Sequence, residues 1–239
     1  MKQYEQVIEV MKRNGGYATL GFLNQNVDVS GWGTKTPFAT IRRIVQKEPY
    51  FFRIKAGLWA LKDFEKLILE KFEIQDKTNK DKQDEFTHAY YQGLLLEIGK
   101  MKKYTTYFHS QNKNQLFLDK PLKDISSCQI FEFSYPEIVH RAETVDVIWF
   151  NSRKLPYAFF EVEHSTNIEH SLGKFVELQD FYSKFYIVAD KVREREYYAN
   201  LNKRMFVELL KNQRVEFKDY ETISVLHTKT SELLAVGEL

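Results

Sequence analysis

Apolar residues at helical spacing alternate with short apolar runs over the first 61 residues of the chain. A first helix is predicted by four apolar residues that recur at helical spacing: Tyr4, Val7, Ile8 and Met11. The glycine pair Gly15-Gly16 ends this helix, and a short extended piece at 17–20 leads into a brief helix near 20–25. A third helix begins at Pro37, because proline is favoured at the first helical position, and four of its apolar side chains point inward: Phe38, Ile41, Ile44 and Val45. Two aromatic and β-branched runs, at 50–54 and 58–61, then predict a β-hairpin.

The pattern from residue 85 onward predicts a mixed sheet flanked by helices. Helices are predicted at 88–101, 171–181 and 193–210. Strands are predicted between and after them, at 105–110, 130–133, 144–150, 157–164, 185–189 and 223–226. Because strands and helices are interspersed, the expected fold class is α/β, or α+β for the whole chain, with a mixed β-sheet core behind a helical N-terminal module.

The charge of the chain is unevenly distributed, which divides it into parts with different expected partners. The whole sequence carries 35 basic and 33 acidic residues, yet residues 1–64 hold ten basic and five acidic ones. An almost purely polar stretch follows at 74–84, with the composition of a linker. We therefore predict a domain at 1–66, a linker at 67–84 and a second domain at 85–239.

Composition excludes several classes of protein. With 43% hydrophobic and 28% charged residues the chain can bury a core, and it has no apolar run approaching the ~20 residues that cross a membrane. Four charged residues within the first twelve argue against a secretory signal. The single cysteine, Cys128, excludes an internal disulfide framework and a multi-cysteine zinc site. A cytoplasmic protein is expected.

Three helices followed by a hairpin is the element order of a winged helix-turn-helix, whose third helix reads the DNA major groove. The segment 33–61, GTKTPFATIRRIVQKEPYFFRIKAGLWAL, resembles the HARE-HTH winged helix, which occurs in chromatin proteins and fused to restriction endonucleases. The resemblance implies that double-stranded DNA is bound by polar and basic residues of this segment: Lys35, Thr36, Thr40, Arg42, Arg43, Lys47, Arg53 and Lys55. Two alternatives stay open, a merely solvated helix face at Arg42 and Arg43, or a module that binds protein.

Three carboxylates interrupt otherwise apolar predicted strands. Asp146 lies within the run at 144–150, while Glu161 and Glu163 occupy alternate positions of the run at 157–164 and therefore share one face. Carboxylates in such apolar strands are costly unless they are paired or bind a cation. Fourteen residues separate Asp146 from Glu161, enough for a hairpin that brings all three carboxylates together. Oxygen ligands that converge at the end of a sheet suit Mg²⁺.

The same residues resemble the motif of the PD-(D/E)XK nuclease superfamily, in which an aspartate is followed on the next strand by an acidic residue, any residue and lysine. Asp146 matches the first acidic position and Glu161-Val162-Glu163 matches the second element. Glu163 stands where the family usually has lysine, a variant that some restriction enzymes carry. The resemblance implies a Mg²⁺ site formed by four residues: Asp146, Glu161, Val162 through its carbonyl, and Glu163. Water is then activated either through the metal or by Glu163.

Further roles are implied for residues outside these strands. The spacing of His88, Gln92 and Gly99 is similar to that of the helix that opens many such domains. Gln92, or alternatively Glu97, is expected to join the active site by contacting a water bound to the metal. Lys174 is expected to contact phosphate, and His88 is predicted to be a hydrogen-bonded structural residue.

These features predict a Mg²⁺-dependent endonuclease that hydrolyses phosphodiester bonds of double-stranded DNA, in the manner of a sequence-specific Type II restriction endonuclease. Cutting both strands needs two active sites and two-fold symmetry matches a palindrome, which favours a homodimer, and a monomer that acts twice stays open as the alternative. The alternative is a DNA-binding regulator or adaptor whose nuclease-like domain is inert. For Glu161 and Glu163 the alternative is an exposed strand face paired with lysines.

Overall fold

The computed structural model of the protein describes residues 1–72 and 80–238. The predicted linker at 67–84 includes residues 73–79, and these lie outside the described residues. Within the described part of the chain, no helix is both long enough and apolar enough to span a bilayer.

The chain forms two compact units. The first comprises Met1–Gln83 together with Ser224–Leu239, and the second comprises Asp84–Ile223. The C-terminal residues are thus grouped with the N-terminal ones, whereas the predicted division of the chain into functional domains stays a prediction.

The first unit contains helices packed with a three-stranded antiparallel sheet. Its N-terminal elements are α1 Gln3–Arg13, β1 Tyr17–Thr19, α2 Leu20–Asn26, α3 Pro37–Lys47, β2 Phe51–Lys55, β3 Leu58–Leu61 and α4 Glu65–Lys71. The strands lie in the order β1-β3-β2, and Gly57, with a φ of 74°, forms the turn between β2 and β3. The predicted order of helices, short strand and hairpin is confirmed.

Local sequence explains the helix boundaries of this unit. The Thr19 side chain accepts a hydrogen bond of 3.1 Å from the backbone N–H of Phe22 and caps α2. Pro37 occupies the first turn of α3. The inward stripes meet in a core that includes Met11 and Ile41, both fully buried.

The second unit is built on a five-stranded mixed sheet flanked by helices. It contains most of α5 Lys80–Met101, and the elements that follow are β4 Thr105–Phe108, β5 Leu116–Phe117, β6 Lys120–Pro121, α6 Leu122–Ile125, α7 Pro136–Glu143, β7 Val147–Phe150, β8 Pro156–Glu163, α8 Ile168–Leu178, β9 Lys184–Ala189, α9 Glu194–Leu201, α10 Val207–Asn212, β10 Val215–Asp219 and α11 Tyr220–Ala235. From Ser224 onward, α11 belongs to the first unit.

The sheet has the order β10-β9-β8-β7-β4. Strands β10, β9 and β8 run parallel, whereas β7 is antiparallel to both β8 and β4. One face carries Phe159 and Phe185, which pack in one core with Phe175 of α8. On the opposite face the Trp149 indole N–H donates a 3.0 Å hydrogen bond to the Leu95 carbonyl of α5. The predicted mixed α/β class is confirmed.

Several predicted elements are wrong. The run at 223–226 lies within helix α11 instead of a strand, because the Asp219 side chain accepts a 2.7 Å hydrogen bond from the Thr222 N–H and starts a helix there. The run at 130–133 pairs with no described strand, and its aromatic residues instead pack on the core. The long helix predicted at 193–210 is divided into α9 and α10, and β10 was missed.

Candidate active site

Strand pairing brings the predicted carboxylates together where β7 begins and β8 ends, in the middle of the five-stranded sheet. Strands β7 and β8 are antiparallel, and Val147 at the start of β7 pairs with Phe160 near the end of β8. Asp146, directly before β7, therefore lies beside Glu161. The carboxylate Oδ2 of Asp146 accepts a 2.8 Å hydrogen bond from the backbone N–H of Val162. The hairpin that the sequence allows is present, although Asp146 itself precedes the strand in which it was predicted.

Helix α5 orients the Asp146 carboxylate from the side. His88 Nε2 lies 3.2 Å from Oδ2, and the Gln92 amide donates a 2.9 Å hydrogen bond to Oδ1. The Asn112 amide in turn donates to Gln92 Oε1 at 3.3 Å, which fixes the orientation of the fully buried Gln92. Both oxygens of Asp146 are thus held by groups from the protein.

Helix α8 supplies the partners of Glu161. Lys174 Nζ lies 2.9 and 3.0 Å from the two carboxylate oxygens of Glu161 and also donates to the Thr144 carbonyl at 2.7 Å. The Ser171 hydroxyl oxygen also lies 3.1 Å from Glu161 Oε2. Glu161 is 3% exposed, so this ion pair is almost entirely removed from water. The alternative of an exposed glutamate face is wrong, because both Glu161 and Glu163 are buried.

The surroundings of Asp146 and Glu161 shift the pKa values of these two residues in opposite directions. Burial, together with the negative charge of Asp146, raises the pKa of Glu161 to about 8, even though Lys174 opposes the shift. Burial also disfavours the ionised form of Asp146, but the nearby His88, the Val162 N–H and Lys174 outweigh it and hold the pKa of Asp146 below its usual range. Burial opposes the charge on His88, yet Asp146 raises the pKa of His88 to about 9. Near neutral pH these pKa values favour an ionised Asp146 beside a protonated His88, whereas Glu161 favours its protonated form.

Glu163 lies on the same face of β8 as Glu161, and its carboxylate contacts residues close to it in the sequence, Thr166 and Ser171. Its carboxylate accepts hydrogen bonds from the hydroxyls of Ser171 and Thr166. Arg193 Nη1 is 4.0 Å from Glu163 Oε2. Because the Ser171 hydroxyl contacts both glutamates, it links Glu161 to Glu163.

The three carboxylates line one cavity of about 320 Å³, together with Asp84, Glu85 and Lys174. Within residues 1–72 and 80–238, no three His, Cys, Asp or Glu side chains form a cluster that could enclose a metal ion alone. Mg²⁺ does not require one, because it is usually bound by one or two carboxylates and completed by water and substrate phosphate. The half-buried Asp146 and the buried Glu161 supply oxygen donors in an acidic cavity and fit that mode of binding.

Some residues of this site were missed or misjudged from the sequence. Ser171 and Asn112 were not singled out, and no spacing signal distinguishes them from other polar residues. The prediction that His88 is hydrogen-bonded is confirmed: it contacts Asp146 from the same face of α5 as Gln92, four residues later. Glu97 does not line the cavity beside Asp146.

The proposed DNA-contacting residues of the first unit lie on and beside α3 and the hairpin. Arg43, Lys47 and Arg53 are exposed. Arg42, in contrast, is paired through Nη2 with Glu232 Oε1 of α11 at 3.1 Å. The remaining members of the predicted set are polar residues before or within α3 and a lysine of β2: Lys35, Thr36, Thr40 and Lys55.

The fold and the site define an α+β protein in which carboxylates, a lysine and a histidine converge where β7 begins and β8 ends in a mixed sheet. Residues 69–238, most of the chain, match the family model described as the Type II restriction enzyme NmeDI C-terminal domain, and the chain belongs to this family.

A curated relative supports the same relationship. The Type II restriction enzyme NmeDI of Neisseria meningitidis serogroup C is 27% identical over 152 residues, which cover 59% of this chain and 42% of that enzyme. The chain thus spans less than half the length of this relative. No solved structure matches the chain.

Proposed function

We propose that this chain is a Mg²⁺-dependent endonuclease that cleaves double-stranded DNA at specific sequences, as a Type II restriction enzyme of the PD-(D/E)XK type. The observation that carries the proposal is the pair of neighbouring carboxylates, the half-buried Asp146 and the buried Glu161, which meet where β7 begins and β8 ends, beside Lys174. The family to which the chain belongs supports the reaction class. A homodimer, with one such site for each DNA strand, is part of the proposal.

The metal ligands in this proposal are Asp146 and Glu161, with the Val162 carbonyl and Glu163 as additional donors. When bound, Mg²⁺ neutralises charge on the scissile phosphate and lowers the pKa of a water nucleophile. Because Glu161 has a raised pKa, binding of a cation at this pair is coupled to loss of a proton.

The protein side chains around the carboxylates position them and balance their charge. Gln92 and His88 each contact one oxygen of the Asp146 carboxylate and so fix its orientation. A carboxylate that binds a metal needs such an orienting contact. The strand lysine of the PD-(D/E)XK pattern is replaced by Glu163, and Lys174 of α8 brings an ammonium group to Glu161 instead. Lys174 therefore offsets part of the negative charge until cation and phosphate are bound.

Incubation of the purified chain with unmethylated phage DNA and Mg²⁺ is expected to produce discrete fragments, because all the proposed metal ligands lie within one chain. Sequencing of the fragment ends gives the recognition sequence and the cut position, and EDTA is expected to abolish the reaction. Salt-sensitive DNA binding without cleavage across a broad panel of unmethylated DNAs contradicts the nuclease and favours the regulator or adaptor.

The first unit is proposed to act as a winged helix that grips duplex DNA through α3. Arg43→Gln is expected to weaken DNA binding by roughly three- to tenfold, because Arg43 is exposed and a lost phosphate contact removes a charge-assisted hydrogen bond. Arg42→Gln is expected to have the smaller effect, because Glu232 already pairs with Arg42. The measurement is the Kd for a duplex in EDTA, with Lys12→Gln on α1 as the control. Equal Kd values for Arg43→Gln and Lys12→Gln contradict the assignment of α3.

A further inference from the structure

A second cavity, of about 440 Å³, is also lined by Asp146 and lies within the same compact unit. It shares His88, Asp146, His170 and Lys174 with the acidic cavity, so the two adjoin along the site.

The two cavities differ in charge. Asp84, Glu85, Glu161 and Glu163 line only the first cavity. The described residues that line the second include one carboxylate, that of Asp146, and its oxygens already accept hydrogen bonds. Apart from Thr144, the rest of the second lining carries basic or amide side chains: His88, His109, Gln111, Asn112, Arg141, His170 and Lys174. The first cavity is therefore suited to a cation and the second to an anion.

We propose that this second cavity binds a backbone phosphate of the DNA strand being cut, next to the scissile phosphate, with Arg141 as its principal ligand. The inference rests on the proposed nuclease function. It adds the path of the DNA strand, which would run from the carboxylates into this second cavity.

The geometry of Arg141 supports this role. Its Nε donates to Glu177 Oε2 of α8 at 2.6 Å. Among the described residues, no hydrogen bond or ion pair engages its two terminal nitrogens. A guanidinium that is held through Nε keeps its two terminal nitrogens in a fixed orientation. These two nitrogens can donate side by side to two oxygens of a phosphate. The ion pair with Glu177 thus orients the group without using the donors that would face the phosphate.

The chemistry of the lining favours a phosphodiester over a carboxylate or sugar ligand. Arg141 supplies a bidentate charged donor, and Gln111 and His170 add polar groups that have no partner among the described residues. DNA-binding proteins direct half to two-thirds of their hydrogen bonds to phosphate and sugar, which position the duplex without reading its sequence. A phosphate held here would align the neighbouring phosphate over Asp146 and Glu161.

Arg141→Gln tests the inference, with Arg195→Gln as the matched control. Arg195 is exposed on α9 and lines neither cavity, so the control removes the same charge elsewhere in the same unit. The full chain is titrated with a short duplex in EDTA at several salt concentrations. Arg141→Gln is expected to weaken binding about tenfold on cognate and unrelated duplexes alike and to reduce the slope of log K against log salt by about one. Arg195→Gln is expected to match the wild-type chain.

Arg141→Lys provides a second variant that keeps the charge and loses the fork. It is expected to retain the wild-type salt slope with an intermediate affinity, and melting temperatures confirm that each variant is folded. Inorganic phosphate, added in place of DNA, tests whether the cavity binds a free anion instead. In that case phosphate raises the melting temperature of the wild-type chain more than that of Arg141→Gln, while the two chains bind duplex DNA equally. This combination of results overturns the assignment to the DNA backbone.

The outcomes separate this inference from the proposed function. If the wild-type chain cuts DNA in Mg²⁺ and Arg141→Gln binds with the affinity and salt slope of Arg195→Gln, the phosphate site is wrong and the nuclease stands. If binding depends on Arg141 but no DNA is cut, the phosphate site stands and the nuclease is wrong. A wild-type chain that does not bind duplex DNA overturns both.

Discussion

Glu161→Gln is expected to lower the rate of Mg²⁺-dependent DNA cleavage by roughly 10³-fold, about 4 kcal/mol in the activation barrier. The amide has nearly the shape of the carboxylate and can still contact Lys174 and Ser171. It cannot supply the negative charge with which Glu161 is proposed to bind the metal. The measurement is the single-turnover cleavage rate at saturating Mg²⁺ on a cognate duplex.

The same substitution is expected to leave the folded state as stable as the wild type or more stable. Burial and Asp146 raise the pKa of Glu161 to about 8, so the folded state binds a proton more tightly than the unfolded state does. The contribution of Glu161 to the free energy of unfolding is therefore present at low pH and is lost as the pH rises from about 4.5 towards 8. Because Glu161→Gln lacks this titration, its stability relative to the wild type is expected to increase across that window, in urea unfolding with EDTA present.

Glu132→Gln is the control for both measurements, because Glu132 is exposed in the same unit and has no partner among the described residues. Its cleavage rate and its stability are expected to match the wild type. Cleavage by Glu161→Gln within tenfold of the wild-type rate contradicts Glu161 as a metal ligand. A stability loss large enough to unfold the variant means instead that the carboxylate is structural.

Gly93→Ala is expected to destabilise the second unit by about 3 kcal/mol. Gly93 lies inside α5, where a methyl group would overlap the buried ring of Phe117. That ring is confined further by Tyr90, whose ring centroid is 5.8 Å away. The overlap cannot be relieved by a flexible side-chain end, because the first three carbons of Phe117 are involved.

Gly173→Ala is the matched control, because Gly173 lies inside α8 and a methyl group there meets no atom within 4 Å. Alanine in a helix interior is favoured over glycine, so this variant is expected to gain up to about 1 kcal/mol. Urea unfolding at neutral pH measures both changes. A stability for Gly93→Ala equal to that of the wild type contradicts the close approach of α5 to β5.

The site was partly predictable because its main residues are charged side chains within apolar stretches of the sequence, which is unusual. Asp146, Glu161 and Glu163 place charge within apolar runs, and burial of charge requires a compensating interaction. The antiparallel pairing of β7 with β8 then follows from the short connection between two apolar strands. Both the residues and their convergence could therefore be expected from local pattern.

The partners of these carboxylates could not be derived in the same way. Ser171 and Asn112 are ordinary polar residues in their own segments, and only the packing of α5 and α8 against the sheet gives them a role. The structure pairs Lys174 of α8 with Glu161 of β8, a contact that the spacing of these residues in the sequence does not predict, and the phosphate contact of Lys174 stays a prediction. The pairing of Arg42 with Glu232 likewise joins residues 190 positions apart.

Local errors have a related cause. The run at 223–226 has strand-like apolar and β-branched residues, but the capping interaction of Asp219 begins a helix, and a propensity is a weak preference that such contacts override. Similarly, the aromatic residues at 130–133 find burial on the core without joining the sheet, so an apolar run there did not require a strand.

The sequence by itself determined the helices and hairpin of the first unit, the mixed α/β class of the second, and the three carboxylates to examine, because hydrophobic periodicity and misplaced charge are local properties of the chain. The tertiary structure alone decided which residues surround those carboxylates, that Arg42 is paired, and that a basic cavity adjoins the acidic one. Each of these depends on how helices dock on the sheet or on one another, and docking is set by contacts between residues far apart in the chain.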